Sequence, residues 1–311
     1  MLVHDITTGQ KGHNLESYEK NDSYFIIACF DDVEEIQKNF DIATYSRGIY
    51  ENFNDNIKFE SHETYDFMSF VFFKFIDERF LFEKINLYHG SNFIILIVDD
   101  TNKIHNKIIN ELRVDYFKPN NGKEELALIY YKFFNNALSE MFESLCRYEE
   151  LLIDTEAKIL KSIDHYNFEE IVGMKSMSFS IKKYLRFLLH VGDQISDNDN
   201  HLIPQRQIKY FNNLDVRINR LYEFAENIHE MTEHLMDMYD STVTSKTNKL
   251  INKLTLFTVF ATPLTVISGI YGMNFAYMPE LQHKHGYFIV LGVMFLCLTA
   301  TYGILKKIKL L

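Results

Sequence analysis

The sequence predicts an α+β chain: a cytoplasmic α/β domain, then long helices, the last of them a very long stalk that continues into the first of two C-terminal transmembrane helices. Three observations carry this reading. Residues 254–271 hold no charge over eighteen positions, and residues 287–305 none over nineteen. Each run is near the roughly 20 residues a helix needs to cross about 30 Å of hydrocarbon. The first hundred residues instead alternate β-branched and aromatic runs with short acidic or Gly-containing turns, and long periodic stretches without internal proline lie between.

Taken in order, 23–30, 64–75, 79–88 and 92–98 read as strands, and 33–40 has helical spacing. The middle two strands suit a hairpin through Asp77-Glu78, with Gly90-Ser91-Asn92 as the next turn. The α/β domain is expected over 1–122. A helical region follows over 123–203, built from 123–160 and 168–191, with 192–201 as a polar break. The third helical stretch opens near Pro204, a residue a first helical turn tolerates; no proline recurs until Pro263. Unbroken to Met273, it would be about 100 Å long. Leu214, Ile218, Leu221, Ala225, Ile228, Met231, Leu235 and Met238 form a seam along it that must pack on other helices or other subunits. The stalk is expected over 204–253, the first span over 254–274, a loop over 275–286, the second span over 287–305 and a basic tail over 306–311.

Composition narrows the function. The net charge of −11 argues against nucleic acid and suits a protein that handles cations. Cys29, Cys146 and Cys297 are far apart, with no spacing that suggests zinc or a disulfide frame. The first 20 residues include His4, Asp5, Lys11, His13, Glu16 and Glu19, unlike a secretory leader. Lys246, Lys249 and Lys253 precede the first span and Lys306, Lys307 and Lys309 follow the second, with Lys284 alone between them. Both termini are therefore expected in the cytoplasm, the chain lying in an inner or plasma membrane.

Two stripes on the third helix carry chemistry. Glu223, Glu226, Glu230, Glu233, Asp237 and Asp240 alternate at three and four. They read either as a solvated face or, repeated around a homo-oligomer, as mutually repelling carboxylates that a divalent cation would relieve. Asn248, Asn252, Thr255, Thr258, Thr262, Thr265 and Gly269 keep to one face and lead to Asn274. This face suits helix packing through small polar residues or the neutral oxygen lining of a cation path. Phe257, Phe260, Leu264 and Ile267 point elsewhere. The second span, with few polar atoms beyond Thr299 and Thr301, reads as an outer, lipid-facing helix.

Gly272-Met273-Asn274, in register with two spans, follows Pro263-Leu264-Thr265 and Gly269-Ile270-Tyr271 and precedes Met278-Pro279-Glu280-Leu281. In these residues the chain resembles the CorA family of magnesium channels. The resemblance implies a funnel-shaped homopentamer, with membrane lipid around it, that admits Mg2+ down its electrochemical gradient. Gly272, Met273 and Asn274 would form the selectivity filter, a ring of Asn274 carbonyls accepting hydrogen bonds from the ion's tightly held waters. Gly272 would permit backbone geometry closed to other residues, and Met273 would pack the turn. Leu254 would stand at an apolar constriction, and Glu280 would draw cations to the mouth. A regulatory cation would bridge subunits. Asp77 matches one family aspartate, its partner's place falls on Asn213 with Asp215 two residues on, and Glu223, Glu226, Glu230, Glu233 and Asp237 lie close in sequence. Mg2+ is then both cargo and regulatory ligand, with Co2+, Ni2+ or Zn2+ as alternative cargo and a non-conducting scaffold as the alternative class. No enzyme is expected: His229-Glu230-Met231-Thr232-Glu233-His234 is not His-Glu-x-x-His, and no phosphate loop or nucleophile elbow occurs.

Overall fold

The computed structural model describes residues 1–15, 18–43, 50, 58–99, 103–112, 122–161, 168–274, 278 and 284–307. They fall into two compact units, Met1–Met236 and Asp237–Leu311.

The first unit holds one seven-stranded sheet in the order β2-β1-β3-β7-β6-β5-β4. Its strands are β1 (Leu2–Asp5), β2 (Lys11–Gly12), β3 (Tyr24–Ala28), β4 (Lys58–Ser61), β5 (Tyr65–Ile76), β6 (Arg79–Gly90) and β7 (Phe93–Ile97). Only β3 and β7 pair in parallel; the other pairs are antiparallel. The four expected strands are present. Sequence periodicity did not reveal β1, β2 and β4, which are two to four residues long and too short for an alternation to register. Asp77 and Glu78 make the β5–β6 turn with φ of 50° and 60°, the twisted two-residue geometry that joins antiparallel strands.

β5 is buried along almost its whole length, because both faces of the sheet are covered. On one face, helix α1 (Val33–Asn39) sets Val33 and Ile36 in a cluster with Ile26, Phe67, Tyr88 and Ile95. On the other, helix α3 (Gly122–Lys161) brings Phe134 to 5.2 Å from Phe70 between ring centres, with Tyr130 and Phe133 beside it. Fully burying one such side chain contributes roughly 1.5–3 kcal/mol. Helix α2 (Asn106–Glu111) is tied in through the residue before it, His105, whose Nδ1 lies 2.5 Å from Glu83 Oε1.

Helix α4 (Phe168–Asp197) runs through the first half of the expected break. Gly192 is no stop. A Cβ there would lie 2.8 Å from Ile218 Cδ1 and 3.1 Å from Asp215 Oδ1, so glycine serves close approach to the next helix. The chain stops instead at Asn198, with φ 50°. Its side chain both accepts from the Ile203 amide and donates to the Ile203 carbonyl. Helix α5 (Ile208–Tyr271) starts four residues after Pro204, which opens a turn closed by Gln207 N–H donating to Pro204 O at 2.8 Å. Its buried seam is Phe211, Leu214, Ile218, Leu221, Ala225, Ile228, Thr232 and Leu235. Thr232 replaces the expected Met231 because its hydroxyl meets Ser178 Oγ of α4 at 2.9 Å. Met231 turns aside into a small cavity lined by Leu152, Glu156, His234 and Leu235.

The second unit contains the end of α5 and helix α6 (Gly286–Lys307). Both are long and apolar enough to cross a membrane. α5 continues through Pro263, as spanning helices do where neighbours or side-chain hydroxyls accommodate the missing N–H. Sheet, long helices and two C-terminal apolar helices together are the α+β architecture expected from the sequence.

Candidate functional site

Within the second unit the two apolar helices show unlike faces. Asn248, Asn252, Leu254, Thr255, Thr258, Thr262, Thr265 and Gly269 of α5 are all exposed, whereas Leu256, Val259, Phe260, Pro263, Leu264 and Ile267 are half-buried. On α6 the half-buried positions are Val290, Met294, Cys297, Leu298 and Thr301, ending at buried Leu305. Each helix thus has one covered stripe, and the Asn/Thr stripe of α5 lies away from it.

The hydroxyls on that stripe have a defined polarity. Thr258 donates to Leu254 O at 3.0 Å, Thr262 to Thr258 O at 2.7 Å and Thr265 to Ala261 O at 2.9 Å. Each proton is committed to the helix's own carbonyl, so the outward lone pairs can only accept. A hydrated cation presents water hydrogens, which need acceptors.

At the helix end, Gly272 N–H donates to Ser268 O at 2.9 Å and Met273 N–H to Ile270 O at 3.2 Å. Helix C-termini carry carbonyls without intrahelical donors and the negative end of the helix dipole, and Asn274 follows this one. Gly272 does not adopt a left-handed backbone; Gly9 is the one described glycine that does. A Cβ at Gly272 would lie 3.2 Å from Ser268 O, a tight approach. Met273 is 51% exposed, so it does not pack the turn within one chain, and Asn274 is exposed as well. Glu280 lies outside the described residues.

The acidic stripe on the other half of α5 is divided. Glu226 pairs with Lys182 at 3.1 Å and Glu233 with Lys175 at 3.2 Å, both lysines on α4. These hydrogen bonds hold both carboxyls below their ordinary range. Glu223, Glu230 and Asp237, at intervals of seven, are exposed. Asp77 is exposed at its turn and Asn213 is exposed on α5; Asp215 is half-buried, its carboxyl pushed up by burial and by Asp193. Among the described residues no three His, Cys, Asp or Glu side chains form a metal-binding group.

Sequence reasoning missed the polar ties inside the first unit. Glu140 of α3 bridges Lys74 of β5, at 2.7 Å, and Lys107 of α2. Ser178 Oγ lies 2.9 Å from His229 Nδ1 as well as from Thr232. Both join residues distant in sequence, and no local pattern marks them.

Known proteins resemble this chain in sequence and in fold. The "Cobalt/magnesium transport protein CorA" of Thermotoga maritima is 25% identical over 212 residues, 68% of this chain and 60% of the relative. The "Magnesium transport protein CorA" of Campylobacter jejuni is 27% identical over 168 residues, half of each chain. The chain thus spans about half to three fifths of the length of these relatives. The complete structure of the CorA magnesium transporter from Methanocaldococcus jannaschii superposes with a TM-score of 0.81 over 98% of this chain and 97% of that one, at 18% identity, a likeness of fold. The model of the CorA-like Mg2+ transporter protein family matches residues 29–307, and the chain belongs to that family.

Proposed function

We propose that several copies of this chain, five by family resemblance, surround a water-filled path lined by the Asn/Thr face of α5, and that hydrated Mg2+ passes through it passively into the cell. The observation that carries this is the exposed line of acceptor-only oxygens leading to Asn274. Neutral acceptors hold the ion's waters without stripping them, and Mg2+ parts with its waters reluctantly. Around an axis, the Asn274 amides and the α5 C-terminal carbonyls add into a cation-favouring ring.

Gly272 and Met273 set the position of Asn274, Leu254 supplies an apolar closure at the opposite end, and Glu280 draws cations to the mouth. Both termini face the cytoplasm. A cytoplasmic Mg2+ ion regulates the path by bridging carboxylates of neighbouring copies. Glu223, Glu230 and Asp237 suit that role better than Glu226 and Glu233, which lysines of the same chain already satisfy. Asp77, Asn213 and Asp215 form the second candidate set.

The test is Mg2+ uptake into proteoliposomes by the wild type and by Asn274→Ala. Loss of most flux at unchanged assembly supports the filter; equal uptake overturns it. Competition by Co2+, Ni2+ and Zn2+ in the same assay decides the cargo.

A further inference from the structure

Lysines at the end of a cation path would oppose flow if they faced it. Lys246, Lys249 and Lys253 recur at three and four residues just before the first span, and all are exposed. At about 100° per residue, their stripe lies roughly 170° around α5 from that of Asn248, Asn252, Thr255, Thr258, Thr262, Thr265 and Gly269. It continues instead toward half-buried Phe260, Leu264 and Ile267 and exposed Phe257. If both helices span, α6 returns to the same boundary, where buried Leu305 is followed by exposed Lys306 and Lys307.

We propose that these five lysines form a site for the phosphate headgroup of an anionic phospholipid on the outer side of the α5–α6 pair. This rests on the reading that the Asn/Thr face looks inward and that both helices span. The chemistry selects the occupant. Lysine stems lie along hydrocarbon while their ammonium groups reach headgroup level, and a polybasic cluster at a span's end attracts anionic lipid. Phe257, 72% exposed and one turn beyond Lys253 on the same side of the helix, meets the acyl chains, which a soluble anion lacks. The lysines are thus turned from the path to the lipid, where they hold the helix pair without repelling the cargo.

The test uses the full chain in detergent, with phosphatidylglycerol or phosphatidylcholine added and retained lipid counted by native mass spectrometry. The wild type should retain phosphatidylglycerol at least tenfold better than phosphatidylcholine. K246Q/K249Q/K253Q and K306Q/K307Q should each lose most of that preference, and K246R/K249R/K253R should keep it, which separates charge from folding. Absence of a headgroup preference, or an unchanged preference in both glutamine variants, overturns the proposal. So does displacement of the lipid by millimolar inorganic phosphate, which would mark a soluble-anion site. Full flux through Asn274→Ala would sink the transport reading while leaving the lipid count as measured, so the two failures are distinguishable.

Discussion

The two units of this chain solve opposite burial problems. The first covers both faces of its sheet with its own side chains, leaving Phe67, Phe70, Phe73, Tyr88, Tyr130 and Phe134 at 0–1% exposure. In the second, Leu305 alone among the described residues is buried, while Phe257, Tyr287 and Phe288 are 70–72% exposed. Water would not tolerate that second surface as a monomer's. The first unit builds its sheet core from its own side chains, while its helices still expose Phe142, Leu160 and Phe179. In the proposed assembly the second meets lipid on its apolar sides and faces a path shared with further copies on its Asn/Thr side.

The largest expected effect tests this contrast with one chemical change made twice. Phe134→Ala removes a ring wedged among Phe70, Tyr130 and Phe133 and should cost about 3–5 kcal/mol in the first unit. Phe257→Ala, at 72% exposure, should leave the same unfolding transition where it was. Denaturant melts in detergent, read by near-UV circular dichroism, measure both. A comparable loss from Phe257→Ala would show that the exposed face is packed within the chain.

Two glycines extend the comparison at smaller scale. Gly192→Ala forces Ile218 and Asp215 of α5 away from α4 and should cost about 1–3 kcal/mol. Gly269→Ala meets nothing within 4 Å in the single chain and should leave the melt unchanged. If Gly269→Ala changes only the oligomer's elution volume, a neighbouring copy lies close against that face.

The same contrast explains what the sequence made legible. Charge-free runs of spanning length, the Asp77-Glu78 hairpin and the spacing of Thr255, Thr258, Thr262 and Thr265 are local periodicities, and each is present in the fold. Gly192 misled because a glycine that ends a helix and one that admits a neighbouring helix look alike in sequence; only the contact with Ile218 tells them apart. Hydrophobicity alone assigns Met231 to the seam, whereas a hydroxyl contact across two helices places Thr232 there. Glu140 was invisible because Lys74 and Lys107 approach it from a strand and a helix far away in sequence.

Glu140 supplies a pH test of the polar ties within the first unit. Burial alone would raise its carboxyl, but the ammonium groups of Lys107 and Lys74 outweigh that and hold it below its ordinary value of 4.5. A carboxyl lowered in the native state contributes stability above its unfolded pKa and loses it as pH falls through the native one. Glu140→Gln should therefore cost about 1–2 kcal/mol at neutral pH, discounted because Lys107 is half-exposed. The gap to wild type should be constant above about pH 5 and close progressively below 4.5. A gap that widens with acid would place the pairing in the unfolded ensemble instead.

The smallest effect is the most discriminating, because it sets like residues in unlike surroundings. Thr232 donates to His229 O at 2.7 Å inside the α4–α5 seam, and Thr262 donates to Thr258 O at the same length on the exposed face. Valine in place of either removes one hydroxyl and keeps the shape. Thr232→Val should shift stability by no more than about 1 kcal/mol, since Ser178 keeps its bonds to Lys175 O and His229 and the added methyl is buried. Mg2+ flux should not change. Thr262→Val should leave the melt unmoved yet lower flux severalfold, because an acceptor offered to the ion's waters is gone. Equal flux through both variants would mean that the outward oxygens of α5 take no part in conduction, and the Asn/Thr face would revert to a packing surface between helices.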